Sequence, residues 1–98
     1  MVGIKGVMMY ESIAEIKSAN ESVGHKFFRN EWYCQVADPN VYHGIYFITK
    51  ESLNIGTIKV PESFTIRVIN PDKTIGTYGN VGDYKTLAQA QDSMKGIK

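Results

Sequence analysis

Apolar residues recur at intervals of three and four near the start of the chain: Met9, Ile13, Ile16, Ala19 and Val23. That period sets one face of an amphipathic helix over 9–23, with Glu11, Glu15, Lys17, Ser18 and Glu21 on the other faces. Gly24 is a natural stop for it. The period then falls to two. Trp32, Cys34 and Val36 alternate with Tyr33 and Gln35, which reads as a half-buried strand. Asp38-Pro39-Asn40 is turn chemistry, and Gly44 to Thr49 is a second strand rich in β-branched and aromatic residues. Residues 50–62 hold Asn54, Gly56 and Pro61 among scattered Leu and Ile, and read as a loop carrying a short edge strand at Gly56–Val60.

The clearest alternation is Phe64 to Ile69, with Phe64, Ile66 and Val68 on one side and Thr65 and Arg67 on the other. Asn70-Pro71-Asp72-Lys73 supplies a type I turn, and Thr74 to Tyr78 returns as the other arm of a hairpin. Thr86-Leu87-Ala88-Gln89 matches a capping box. It opens a last helix, over about 84–95, whose apolar face is Leu87, Ala90 and Met94. The expected fold class is α+β: an antiparallel sheet of about four strands in the order α-β-β-β-β-α, with both helices packed on one face. Residues 1–8 read as an N-terminal extension and 9–98 as a single domain.

Composition narrows the function classes. The chain has 98 residues, 43% of them hydrophobic and 11% aromatic, as in a folded domain rather than a disordered one. Eleven Lys and Arg against ten Asp and Glu give a net charge of +1, which lacks the basic field of a general nucleic-acid binder. A single cysteine, Cys34, excludes an internal disulfide and suits a reducing compartment. No apolar run reaches the ~20 residues of a membrane span, and the first nine residues lack the core of a secretory signal. Cytoplasmic location is the expectation, in a host cell's cytoplasm if the chain is phage-encoded.

Candidate chemistry is sparse. Cys34, His25 and His43 lack the close pairing of a zinc site. A Cys34–His43 dyad could activate a thiolate, but the alternation with Trp32 and Val36 makes Cys34 a core residue. Gly76, Gly79 and Gly82 precede the last helix, yet their spacing is not that of a phosphate cradle, and they read as joints. Asp38, Asp72 and Asp83 sit in turns. No catalytic, cofactor or metal residue is assigned.

The distinctive feature is aromatic. Phe27, Phe28, Trp32, Tyr33, Tyr42, Tyr46 and Phe47 crowd into 27–47, interleaved with Lys26, Arg29, His43 and Lys50. Trp32 and Phe47 are expected inward, and Tyr33 and Tyr46 outward. Tyr33, Tyr42 and Tyr46, with Arg29, Lys50 and Arg67, form the candidate partner-binding set, because Tyr and Arg are enriched at interfaces.

Several segments carry a resemblance. Ile16-Lys17-Ser18-Ala19-Asn20 followed by Gly24-His25-Lys26-Phe27-Phe28, the strand Gly44-Ile45-Tyr46-Phe47-Ile48-Thr49-Lys50-Glu51, the hairpin Phe64-Thr65-Ile66-Arg67-Val68-Ile69-Asn70-Pro71-Asp72 and the helix start Tyr84-Lys85-Thr86 appear in order. Over roughly 12–95 the chain resembles a small family of uncharacterised proteins carried by phages, plasmids and bacteria. It departs from the family pattern at Lys50, where serine is usual, and at Asn70, where aspartate is usual. The resemblance implies an accessory protein of a mobile element and no mechanism. The leading expectation is therefore a non-enzymatic module that binds an unidentified host or viral protein, such as a defence protein, through an aromatic sheet surface. A β-sheet nucleic-acid binder is the alternative, with Lys26, Arg29, Lys50, Lys59, Arg67, Lys73 and Lys85 as phosphate contacts. An enzyme built on Cys34 ranks third. An exposed edge strand would also admit a homodimer.

Overall fold

The structure, a computed structural model, describes residues 9–29 and 34–97. The elements are α1 (Ile13–Ser22), a 3-10 turn (Phe27–Arg29), β1 (Cys34–Val36), β2 (Tyr46–Ile55), β3 (Ile58–Ile69), β4 (Ile75–Tyr78) and α2 (Leu87–Lys95). The four strands form one antiparallel meander in the order β1-β2-β3-β4. The α+β class and the element order are those expected.

Three local differences have physical causes. The first helix begins at Ile13, four residues late. The Ser12 hydroxyl caps it by accepting from the Glu15 N–H at 3.2 Å, so Met9 lies outside the helical run. The second helix begins at Leu87, three residues into the expected range, because Thr86 and Gln89 form a complete capping box that fixes its start.

The third difference is the largest. Residues 50–62 are not a loop: β2 runs on to Ile55 and β3 begins at Ile58, joined by the two-residue turn Gly56-Thr57, where Gly56 takes φ +59°. Pro61 suggested a break. It is accommodated at a bulge, where the register passes from Glu51–Ser63 to Leu53–Val60 and two β3 residues face Ser52 alone.

The helices do not share a face. Ile48, Phe64 and Ile66 pack with Ala90 and Met94 of α2 and with Ile97. Phe47 and Ile69, neighbours of those residues with the opposite pleat, pack instead with Tyr10, Phe28 and Ile16 of α1. The expectation of both helices on one face is therefore corrected: one helix covers each side. An inward and an outward face were assigned from alternation, but both sides of β2 and β3 carry large apolar residues, which calls for two covers. No helix among the described residues is long and apolar enough to cross a membrane.

Candidate functional site

β2 and β3 set out the α1-side face through their register. Phe47 lies opposite Arg67, Thr49 opposite Thr65, and Glu51 opposite both Ser63 and Cys34. Alternation thus delivers Cys34, Thr49, Glu51, Thr65 and Arg67 to one patch, where α1 no longer covers the sheet. Glu51 (6% exposed) and Arg67 (9%) are both buried. An isolated charge there would be costly, and the geometry shows how it is met.

Arg67 Nη2 donates to Glu51 Oε2 at 3.1 Å, Nε donates to Thr49 Oγ1 at 3.1 Å, and Nη1 to Thr77 Oγ1 at 2.7 Å. The Thr49 and Thr65 hydroxyls and the Cys34 thiol also donate to the Glu51 carboxylate, the thiol at 3.2 Å. Thr65 Oγ1 in turn accepts the Gly82 N–H at 2.8 Å, which ties the β4–α2 connection to this network. The Phe27 ring covers the guanidinium, 5.2 Å from its carbon.

Burial by itself would raise the Glu51 pKa. Hydrogen bonds from Thr49, Thr65, Cys34 and Arg67 outweigh it, and the carboxyl is held below the usual glutamate range. Burial pushes the Cys34 thiol up, and the hydrogen bond to Glu51 with its negative charge adds to that; nearby Arg67 opposes it but does not prevail. Cys34 is a protonated donor in this setting, not a thiolate.

Beside the network, the 3-10 turn stands over the open end of the sheet and leaves a cleft of about 240 Å³. It is lined by Phe27, Phe28, Cys34, Gln35, Val36 and Thr49. Phe27 meets Phe28 edge-on at 5.1 Å, and Phe28 stacks on Phe47 at 5.6 Å, so the aromatic wall is braced from behind. Val36, on the sheet's edge strand, is 37% exposed. The lining is apolar with a polar floor, the composition of a pocket that takes an apolar group with defined orientation.

The residues singled out from sequence end up in different places. Arg67 is buried and cannot serve as a surface contact: the two-sided core places it under Phe27. Lys50 is half-buried and pairs with Glu62 at 3.3 Å. Tyr42 is half-buried and donates its hydroxyl to Asp38, which also accepts from Gln91 at 2.9 Å. Tyr46 packs on the α2-side core, edge-on to Tyr78 at 5.5 Å and to His43 at 6.1 Å. Arg29 is exposed in the 3-10 turn. Tyr33, Trp32 and the extension 1–8 lie outside the described residues.

Tyr46, expected outward, is thus corrected to an α2-side packing residue, and Tyr42 packs on the same side. Nor are Cys34 and His43 brought together. The His43 ring donates to the Met94 carbonyl at 3.0 Å, on the α2 side, while Cys34 faces Glu51 on the other. Among the described residues no group of three metal-ligating side chains converges.

Glu51, Phe27, Phe28 and Val36 escaped the candidate set. The signal for Glu51 was present as the alternation Phe47-Thr49-Glu51, masked by reading a loop from residue 50. No family model, curated protein or solved structure matches the chain.

Proposed function

We propose that this chain is a small non-enzymatic accessory protein, of the phage or mobile-element type that its sequence resembles, and that it works by binding another protein at the Phe27–Phe28–Val36 cleft. The observation that carries the reading is the position of that cleft. Both sides of β2 and β3 carry packed clusters, yet an apolar hollow with aromatic walls opens beside an edge strand. Such rings, held rigid by Phe47, are the usual anchors of protein interfaces.

The charges favour protein over nucleic acid. Of the seven basic residues considered for phosphate contact, Arg67 is buried against Glu51 and Lys50 is paired with Glu62. The separation of Cys34 from His43 and the raised thiol pKa count against a nucleophilic enzyme.

The test is affinity capture from a host lysate with mass-spectrometric readout, comparing the native chain with Val36→Asp and Tyr78→Ala. A partner retained by Tyr78→Ala and lost by Val36→Asp is the expected result. No specific partner, or one indifferent to Val36→Asp, overturns the reading.

A further inference from the structure

Resting on the protein-binding reading above, we infer that the cleft takes an extended segment of the partner in which apolar residues alternate with Asp or Glu, added as a fifth strand along the outer edge of β1. Three features converge on this occupant. First, among the described residues β1 has a strand neighbour on one side only. The Ala37 N–H donates to the Ile48 carbonyl at 2.9 Å, and Val36 lies opposite Thr49. In an antiparallel pair, bonding direction alternates along the strand, so the backbone groups of Gln35 and Ala37 turn toward β2 and those of Cys34 and Val36 turn away from it. That outer edge presents the ladder which β-strand addition uses.

Second, the cleft opens beside that same edge, on the α1 side of the sheet. Cys34 and Val36 supply both its lining and the outward backbone groups. A strand running along β1 projects every other side chain to that side, so an apolar residue enters the cleft while its neighbours point away. A volume of about 240 Å³ suits one or two side chains rather than a folded domain.

Third, the turn that walls the cleft is flanked by positive charge. Lys26 and Arg29 bracket the two lining phenylalanines in sequence, both are exposed, and neither pairs with a carboxylate among the described residues. Among the described residues, the acid of the adjoining network, Glu51, is already neutralised by Arg67. Cationic charge beside an apolar slot is complementary to an acidic, apolar strand and repels a basic one.

The experiment selects a randomised seven-residue peptide library, displayed on yeast, against the full chain. It then measures the enriched peptide by fluorescence polarisation. Enrichment of apolar residues alternating with Asp or Glu is expected. Binding should weaken about tenfold in the Lys26→Glu/Arg29→Glu double variant, the scale of two exposed ion pairs in a desolvating rim. Selection repeated against that double variant should enrich Lys and Arg instead.

Selected peptides without acidic residues, or a double variant that binds within twofold of the native chain, would overturn the assignment. So would a dimer of the chain alone in sedimentation that Val36→Asp dissociates, since a second copy would then occupy the edge. A lysate partner lost by Val36→Asp but kept by Lys26→Glu/Arg29→Glu removes the acidic strand and leaves the protein-binding reading intact. A chain that captures no lysate protein yet selects acidic peptides does the reverse.

Discussion

The two sides of the sheet solve the same problem with different chemistry. On the α2 side, Ile48, Phe64 and Ile66 meet Ala90, Met94 and Ile97, and the buried Asp38 carboxyl is held by the neutral donors Gln91, Tyr42 and Asn40. On the α1 side only half the face is an apolar cluster. The other half is a buried ion pair with three threonines and a thiol around it. An apolar cluster tolerates small shifts because its attraction has no direction. A buried charge pair does not, because each lone pair and each N–H needs its own partner. The α1 side is therefore the geometrically specified one, and it is where the cleft opens.

The largest expected effect breaks that contrast at Arg67. Arg67→Met leaves the Glu51 carboxylate buried without its cation, and should cost about 3–5 kcal/mol in urea unfolding. Adding Glu51→Leu to it should recover part of the loss, because the apolar pair needs no partners while the Thr49 and Thr65 hydroxyls lose their acceptor. A double variant as unstable as the single one would mean that the network holds the fold by shape rather than by charge.

Next in size is Met94→Ala on the α2 side. Met94 is fully buried among Ile48, Ile66 and Ile97, and truncation should cost about 2–4 kcal/mol. Here no second substitution of opposite charge can restore it. Filling the hollow is the only rescue, so Met94→Leu should lose less than about 1.5 kcal/mol. The same unfolding experiment checks both.

Much of this contrast was legible in the chain, and the missing part has a clear cause. Period-four spacing located α1, period-two spacing located β1 and the start of β2, and the Thr86–Gln89 box located α2. Ser12 corrected the start of α1 only once its hydroxyl was seen to accept from Glu15. Pro61 and Gly56 hid the far half of the β2–β3 hairpin, because a proline at a bulge and a glycine at a two-residue turn look the same as loop residues in sequence. With β2 cut at Thr49, Glu51 had no strand to sit on, and Arg67 had no buried partner. Arg67 then looked like a surface cation. The site followed the strand boundary: one misplaced end removed an acid from the core and added a base to the surface.

Acid sharpens the comparison further, since among the described residues each side carries one buried carboxyl. On the α1 side it is Glu51. On the α2 side it is Asp38, where burial opposes ionisation but hydrogen bonds from Gln91, Tyr42 and Asn40 outweigh it, leaving the pKa below the usual range. In both, the folded pKa lies under the unfolded one, about 4.3 for Glu and 3.9 for Asp. The stabilisation is thus complete at neutral pH, and is lost as pH falls through that range toward the folded values. Glu51→Gln and Asp38→Asn should each flatten part of the acid limb of a stability–pH curve. The Glu51 variant also disturbs the cleft, and the Asp38 variant should leave peptide binding there unchanged.

The smallest effects come from the helix caps, and they test how firmly each cover is fixed. Thr86 and Gln89 exchange two hydrogen bonds, of 3.1 and 3.3 Å, at the start of α2. Ser12 gives α1 one bond from Glu15, whose carboxylate reaches back to the Glu11 N–H at 2.8 Å. Either alanine substitution removes about 1 kcal/mol of local helix stability. Where the loss appears should differ. Helix α2 is pinned by Ala90 and Met94, both fully buried, so it opens only when the whole domain does. Thr86→Ala should then lower global stability by nearly the full amount. Helix α1 is held by Ile16 and by Asn20, whose side chain donates to the Lys73 carbonyl at 2.9 Å and accepts the Phe27 N–H. It can fray without unfolding the sheet, so Ser12→Ala should speed amide exchange over 13–16 while moving the global midpoint little. Equal shifts in both midpoints would show that the two covers open together. The 3-10 turn that walls the cleft, anchored to α1 through Asn20, would then be as rigid as the α2 core.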